Sequence, residues 1–137
     1  MKSENVSISP NGEKFLLPKP EEYQAEFDRL KKRVAQERAE NREIVVVMGV
    51  GFVGAVMAAI VADTVDEKGL PSKFVIGMQR PSQRSFWKIP LLNRGVSPVK
   101  AEDPEVDPMI ARCVNEKKTL MATYTYEVLK LADVVVV

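Results

Sequence analysis

Residues 44–62 constrain the fold more than any other part of this chain. They carry no charge, the first half is rich in β-branched residues, the second half is rich in alanine, and three glycines lie between. An uncharged stretch of this length must be weighed as a membrane-spanning helix. The β-branched run and the clustered glycines instead favour a buried strand, a tight turn and a buried helix.

Strands and helices alternate through the rest of the sequence. A helix is predicted at Phe52–Ala62 and a second strand at Lys73–Met78. Further on, the pattern predicts helices at 85–92 and 105–117 with a loop at 93–104 between them, then a strand at 120–123, a helical turn at 126–131 and a last strand at 134–137. This alternation predicts an α/β fold, a Rossmann-type doubly wound parallel sheet with helices on both faces.

The N-terminal third precedes that unit. Residues 1–19 contain proline, asparagine and glycine without sustained periodicity, which predicts an irregular lead-in. Between residues 21 and 42, apolar residues recur at helical spacing and predict an amphipathic helix: Tyr23, Phe27, Leu30 and Val34. We expect this stripe to pack on the core, with a subunit contact as the alternative. The expected division is a lead-in with its helix at 1–43 and a Rossmann domain at 44–137.

Composition excludes several kinds of chemistry. The chain has no histidine, so imidazole bases and histidine-ligated zinc are excluded within it. Its single cysteine, Cys113, excludes an internal disulfide and a paired redox site. With 20 Lys+Arg against 19 Asp+Glu, the net charge is +1, which gives no general attraction for nucleic acid or anionic membranes.

The two ends of the sequence bear on the cellular location of the protein and on its expected full length. The polar start lacks the apolar region of a secretory signal, and this agrees with the cysteine content in indicating the cytoplasm. The sequence stops on four consecutive valines inside a predicted strand. We therefore expect a piece of a longer protein, truncated within that strand.

The glycines of residues 49–54 match the pattern G-x-G-x-x-G. In dinucleotide-binding folds, the glycine at the position of Gly49 allows the tight turn, that of Gly51 lets a pyrophosphate approach the backbone, and that of Gly54 permits close helix packing. The N–H groups at the helix start, which includes Phe52 and Val53, then hold the phosphates. The strand before and the helix after predict dinucleotide binding, with a purely structural glycine turn as the alternative.

The end of the second predicted strand departs from the usual pattern. An acidic residue is expected there to bind the adenosine ribose, but this chain has Gln79 followed by Arg80. The Gln79 amide can still bind a ribose hydroxyl. Arg80 and Arg84 could face a 2′-phosphate or remain solvated in the loop. These residues leave both NAD+ and NADP+ open, because a missing carboxylate removes the repulsion that normally rejects a 2′-phosphate.

Four segments in the same order resemble one enzyme family. They are residues 46–54, the strand with Gly77, residues 92–98 (Leu-Asn-Arg-Gly-Val-Ser-Pro) and residues 132–134 (Ala-Asp-Val). Together they resemble the N-terminal domain of the UDP-glucose/GDP-mannose dehydrogenase family. The pattern Asn-x-Gly-x-Ser-Pro at residues 93–98 is more specific to this family than the glycine pattern of residues 49–54. Within the family, the similarity is greatest to the branch that oxidises N-acetylated UDP-hexosamines.

The resemblance implies an oxidoreductase that converts the C6 alcohol of a UDP-sugar to a carboxylate with two NAD+ in succession. It also implies a homo-oligomer for the full-length protein. The catalytic cysteine of the family lies in a later domain, so no catalytic residue is assigned here and we expect this piece alone to be inactive. Cys113 lacks the glycine-rich context and is interpreted as a buried helix residue.

Two departures and one alternative qualify this interpretation. Gln79 stands where the family has Asp, and the segment from Gln79 to Asn93 is longer than usual by about four residues, which a loop tolerates. A non-catalytic nucleotide-sensing domain is the alternative function. The acidic residues of 102–107 are interpreted as helix-start residues, and no metal site is expected.

Overall fold

A computed structural model describes residues 5–100 and 102–137, without the side chain of Phe52. In chain order the elements are β1 (Val6–Ile8), β2 (Lys14–Leu16), α1 (Glu22–Ala39), β3 (Glu43–Met48), α2 (Phe52–Ala62), β4 (Lys73–Met78), α3 (Lys88–Asn93), α4 (Val106–Ala111), β5 (Leu120–Thr123) and β6 (Val134–Val136). A π-helical turn, Arg112–Glu116, continues α4, and a 3₁₀ helix, Tyr126–Leu131, precedes β6.

The central sheet has four parallel strands in the order β5-β4-β3-β6. The first strand of the unit, β3, therefore lies between β4 and β6, and the chain winds outward from it in both directions. In sheets of this kind, ligands bind beyond the carboxyl ends of the strands where the winding direction reverses. That point lies at the end of β3, where Gly49 follows Met48.

Both faces of the sheet are covered, as a doubly wound fold requires. One face, with Val45, Val47 and Val75, packs against α2, α3 and α4. The other face, with Ile44, Val46, Phe74 and Ile76, packs against α1 through Leu30 and Val34. The predicted α/β fold is confirmed, and so is the expectation that the apolar stripe of α1 packs on the core.

The predicted elements of the Rossmann unit agree closely with the structure. The bounds of α2, β4, β5 and the 3₁₀ helix are those predicted, and β6 ends one residue short of the expected strand. The helix expected at 85–92 begins at Lys88, because residues 83–87 form turns instead. Within the described residues, no helix is both long enough and apolar enough to cross a membrane.

The N-terminal segment is not irregular, and that prediction was wrong. β1 and β2 pair as an antiparallel hairpin with Val6 opposite Leu16 and Ile8 opposite Lys14. Gly12, at φ +90, closes the turn and donates from its N–H to the Ser9 carbonyl at 2.9 Å. Asn11-Gly12 between two short alternating runs was the available signal for this hairpin. Residues 1–4 lie outside the described part of the chain.

Candidate functional site

The glycine turn begins directly at the carboxyl end of β3. Gly49 has φ +90, a conformation that side chains rarely adopt, and its N–H donates to the Met78 carbonyl of β4 at 2.7 Å. The turn is therefore fixed to the neighbouring strand at its first residue. This agrees with the tight strand-to-helix turn expected of Gly49.

Two further glycines allow the turn to close against its surroundings. A Cβ on Gly54 would lie 1.8 Å from the Gly49 carbonyl oxygen, so α2 can approach the turn only with glycine there. A Cβ on Gly77 would lie 2.5 Å from Cγ1 of Val50, which is itself fully buried. Gly54 thus permits the close approach of α2 to the turn. Gly77, which lies on β4, leaves room for the Val50 side chain of the turn.

Gly51 differs from these glycines, because nothing in the described part of the chain requires glycine at its position. Its φ of −73 and ψ of −160 are accessible to any residue, and a Cβ would meet no atom within 4 Å. As the N-cap of α2 it offers no side chain to the first helical N–H groups, and the first turn holds no acidic residue. The helix start is left open to an external anion.

Phe52 and Val53 form the first turn of α2. The backbone of Phe52 starts the helix, whereas its side chain lies outside the described residues. The side chain of Val53 is 71% exposed. As first-turn residues, both contribute backbone N–H groups to the helix start.

Gln79 is joined to the glycine turn by its side chain. Its Oε1 accepts a hydrogen bond from the Val50 N–H at 3.0 Å, and its own N–H donates to the Thr123 carbonyl at 3.0 Å. The side chain therefore lies beside the turn that follows β3, while the backbone pairs with the end of β5. Sequence reasoning placed Gln79 at this site but did not identify Val50 as its partner.

Arg80 and Arg84 lie on the loop that follows β4. Both are exposed, and neither guanidinium has a hydrogen bond or ion pair within the described ranges. The backbone of Arg80 is nonetheless fixed, since its carbonyl accepts from Ser85 Oγ at 2.7 Å and from the Ser82 N–H at 3.0 Å. Two exposed cations are thus carried by a loop that is internally hydrogen-bonded.

The N-terminal hairpin packs against this same loop. The hydroxyl of Ser7, fully buried, donates to the Gln83 carbonyl at 2.7 Å and accepts from the Trp87 N–H at 3.0 Å. A bidentate ion pair from Arg94 to Glu13, at 2.7 and 3.0 Å, adds a second attachment. The hairpin therefore supports the longer segment between Gln79 and Asn93, a role that the sequence did not reveal.

The Asn-x-Gly-x-Ser-Pro segment is explained by contacts within the chain. Asn93 bonds the backbone of Ala122 on β5, and Ser97 Oγ donates to the Val99 carbonyl at 2.7 Å. Gly95 has φ +84, and a Cβ there would lie 2.3 Å from Nδ2 of Asn115. In this part of the chain the segment joins α3 to the edge of the sheet.

Asp133, from the Ala-Asp-Val segment, anchors the start of the central strand. Its Oδ2 accepts from the Ile44 N–H at 2.9 Å, and its Oδ1 accepts from the Arg38 guanidinium at 2.9 Å. The Ile44 hydrogen bond, with help from Arg38, lowers the pKa of Asp133. It lies at the amino ends of the strands, away from the glycine turn.

Tyr124, directly after β5, belongs to a group of aromatic and acidic residues that was not predicted from the sequence. The ring of Tyr124 makes edge contacts with Tyr23 and Phe86 at 5.0 and 6.0 Å between centroids. Burial, assisted by the charge of Glu26, raises the pKa of Tyr124 to about 12, so its hydroxyl stays protonated. Glu26 in turn accepts from Thr123 Oγ1 at 2.6 Å. No local sequence pattern marks this group, because it joins three distant elements.

Cys113 is fully buried beneath α2, as expected. Burial raises the pKa of its thiol, and the nearby Asp63 carboxylate acts in the same direction. Such a thiol is a poor nucleophile. In the acidic segment, Asp103 Oδ1 accepts from the Glu105 N–H at 2.9 Å near the start of α4. The described residues contain no cluster of three potential metal ligands.

No family model matches this sequence, and no curated protein matches it. Among solved structures, the chain is similar to the crystal structure of NDP-N-acetyl-D-galactosaminuronic acid dehydrogenase from Methanosarcina mazei Go1, with 33% sequence identity and a TM-score of 0.59. The similarity covers 77% of this chain but 21% of that enzyme. The chain thus corresponds to about one fifth of its solved relative.

The similarity agrees with the geometry of the site. A parallel Rossmann-like sheet, a glycine turn at its switch point and an uncapped helix start are present together. The predicted resemblance is confirmed: over most of its length, this chain is related to one part of a nucleotide-sugar dehydrogenase.

Proposed function

We propose that this chain is the dinucleotide-binding part of a nucleotide-sugar dehydrogenase. In the complete enzyme, the C6 alcohol of a UDP-sugar is oxidised to a uronic acid with two NAD+. Residues 44–137 form the NAD-binding domain, with residues 1–43 as its N-terminal extension. The relationship to a solved nucleotide-sugar dehydrogenase supports this proposal. The content of one buried cysteine supports a cytoplasmic location.

The observation that carries the proposal is the open space at Gly51. The positive φ explains Gly49 and the contact of an added Cβ explains Gly54, but the described residues give no reason for glycine at 51. A ligand lying against the backbone would supply that reason, because a Cβ would then occupy its place. The uncapped start of α2 makes this ligand an anion, and the pyrophosphate of a dinucleotide fits.

Each residue of the site then has a binding role. The backbone at Gly51, Phe52, Val53 and Gly54 holds the pyrophosphate, and Gln79 binds the adenosine ribose. Bound NAD+ supplies the hydride acceptor for the alcohol. The chain's own contribution is to fix that acceptor at the end of β3. We expect no turnover by the 137 residues alone, because Cys113 is buried and there is no histidine.

The test uses the single tryptophan, Trp87, which lies in the loop after Gln79. NADH is titrated into the 137-residue chain with excitation of Trp87, and saturable quenching with sensitised NADH emission is the expected result. Adding NAD+ should reverse the signal. The absence of saturable binding by a chain whose melting shows it to be folded would overturn the proposal.

Gly51→Ser is the matched variant. A serine at an N-cap with this backbone conformation can bond the first-turn N–H groups, which stabilises a helix by a few tenths of a kcal/mol relative to glycine. The same side chain occupies the place of the pyrophosphate. Stability should therefore hold or rise while NADH affinity falls at least about tenfold. Unchanged affinity would mean that Gly51 does not face the ligand.

A further inference from the structure

We propose that Gln79 and Arg80 make this site accept a 2′-phosphorylated dinucleotide, NADP+, as well as NAD+. The inference rests on the proposed dinucleotide function and concerns the substituent on the adenosine ribose.

The hydrogen bond between Gln79 and the glycine turn determines which amide atom faces outward. The Val50 N–H can only donate, so the atom of Gln79 that lies 3.0 Å from it is the oxygen Oε1. The amide nitrogen, with its two donors, is the group left for a ligand. In dinucleotide-binding folds, the ribose hydroxyls bind at the end of the strand that corresponds to β4. At that position this chain therefore offers a hydrogen-bond donor.

A donor at this position has a different selectivity from a carboxylate. A carboxylate accepts from both ribose hydroxyls and repels the charge of a 2′-phosphate, which excludes NADP+. The Gln79 amide can donate to a hydroxyl oxygen and equally to a phosphate oxygen. The side chain thus removes the repulsion without losing the contact to the unphosphorylated ribose.

Arg80 supplies the positive charge that a 2′-phosphate needs. It directly follows Gln79, its guanidinium is exposed, and that group has no ion pair anywhere in the described part of the chain. Other exposed arginines are engaged: Arg94 binds Glu13 and Arg38 binds Asp133. An unpaired guanidinium loses no existing partner when it binds a phosphate.

The backbone around Arg80 is already in place for such a contact. Its carbonyl is held by Ser85 Oγ and the Ser82 N–H, and the buried Ser7 hydroxyl joins the far end of the loop to the hairpin. These backbone hydrogen bonds are formed before any ligand binds, so the arginine side chain is the main part left to be ordered. Arg84, also exposed and without an ion pair, lies four residues further along the same loop.

The experiment measures NADH and NADPH affinity by the Trp87 signal for the wild-type chain and three variants. In the wild type, the two affinities should agree within about tenfold. Arg80→Ala should weaken NADPH by about 10- to 100-fold, the range of one charge-assisted contact, and change NADH by less than about twofold. Gln79→Glu keeps the length and the acceptor for Val50, and it should weaken NADPH at least about tenfold while NADH is retained.

Lys32→Ala is the control, since it removes an exposed cation of α1 that has no ion pair among the described residues. It should change neither affinity. If NADH binds and NADPH is more than about tenfold weaker in the wild type, the inference fails while the proposed function stands. If the NADPH loss appears in Arg84→Ala and not in Arg80→Ala, the assignment to Arg80 is wrong. Binding of neither nucleotide overturns both.

Discussion

The side-chain amide of Asn93 bonds both polar groups of the Ala122 backbone. Nδ2 donates to the Ala122 carbonyl at 3.1 Å, and Oδ1 accepts from the Ala122 N–H at 2.7 Å. β5 is an edge strand of the sheet, so Asn93 takes the place that a neighbouring strand would occupy. The end of α3 is thereby fixed to the sheet.

Replacing Asn93 with alanine should therefore destabilise the fold without emptying the core. Two hydrogen bonds at a partly exposed position are worth about 1–2 kcal/mol together. Urea unfolding should show this decrease for Asn93→Ala. Gln36→Ala, which removes an exposed amide of α1 with no hydrogen bond in the described chain, should change the free energy of unfolding by less than about 0.5 kcal/mol. Equal effects of the two variants would contradict the assigned role.

Gly54→Ala should destabilise the chain although alanine is the better helix former. The new Cβ would lie 1.8 Å from a backbone oxygen, which cannot move as a side chain can. Overpacking of this kind costs about 1–3 kcal/mol. Thermal unfolding should give Gly54→Ala a clearly lower melting temperature than Gly51→Ala. At Gly51, an added Cβ meets none of the described atoms within 4 Å. Similar melting temperatures for the two would show that α2 can shift away from the turn.

The ion pairs of Asp63 should make stability depend on pH in the acid range. Hydrogen bonds from the Arg112 guanidinium, opposed by partial burial and assisted by Lys117, hold the pKa of Asp63 well below its usual range. A carboxyl with a lowered pKa in the folded state contributes stability above its unfolded pKa of about 3.9 and loses it as the pH falls.

The wild type should therefore exceed Asp63→Asn in free energy of unfolding near pH 6, and the difference should shrink between about pH 5 and about pH 2. Urea unfolding of both proteins at several pH values in this range measures the difference. A difference that stays constant with pH would show that the Asp63 charge contributes nothing.

Cys113 should be inert in the folded chain. It is fully buried, and desolvation raises the pKa of its thiol, so little thiolate forms near neutral pH. At pH 8, an aromatic disulfide reagent should react with almost none of the Cys113 thiol in the native chain. In denaturant, the reaction should release one equivalent of the reagent's aromatic thiolate per chain. Rapid reaction under native conditions would indicate opening between α2 and the π-helical turn.

The Rossmann unit was predictable because its signals are local. The apolar run of β3, the glycines after it and the alanine-rich α2 each determine structure within a few residues. The hairpin was missed, although Asn11-Gly12 marked its turn, because strands of three residues show too little alternation. Gln79 was placed at the site from its position after β4. Its hydrogen bond to Val50 depends on how two strand ends meet, which no single-segment pattern contains.

The two hydrogen bonds of Ser7 also bear on the order in which the parts of the chain are expected to fold. They span 76 and 80 positions of sequence, whereas β3, α2 and β4 are consecutive elements that can assemble over a short stretch. Contacts between distant positions close late, because the chain entropy of long loops must be overcome first. We therefore expect the hairpin to dock after β3, α2 and β4 have assembled, so that its loss would accelerate unfolding more than it slows folding.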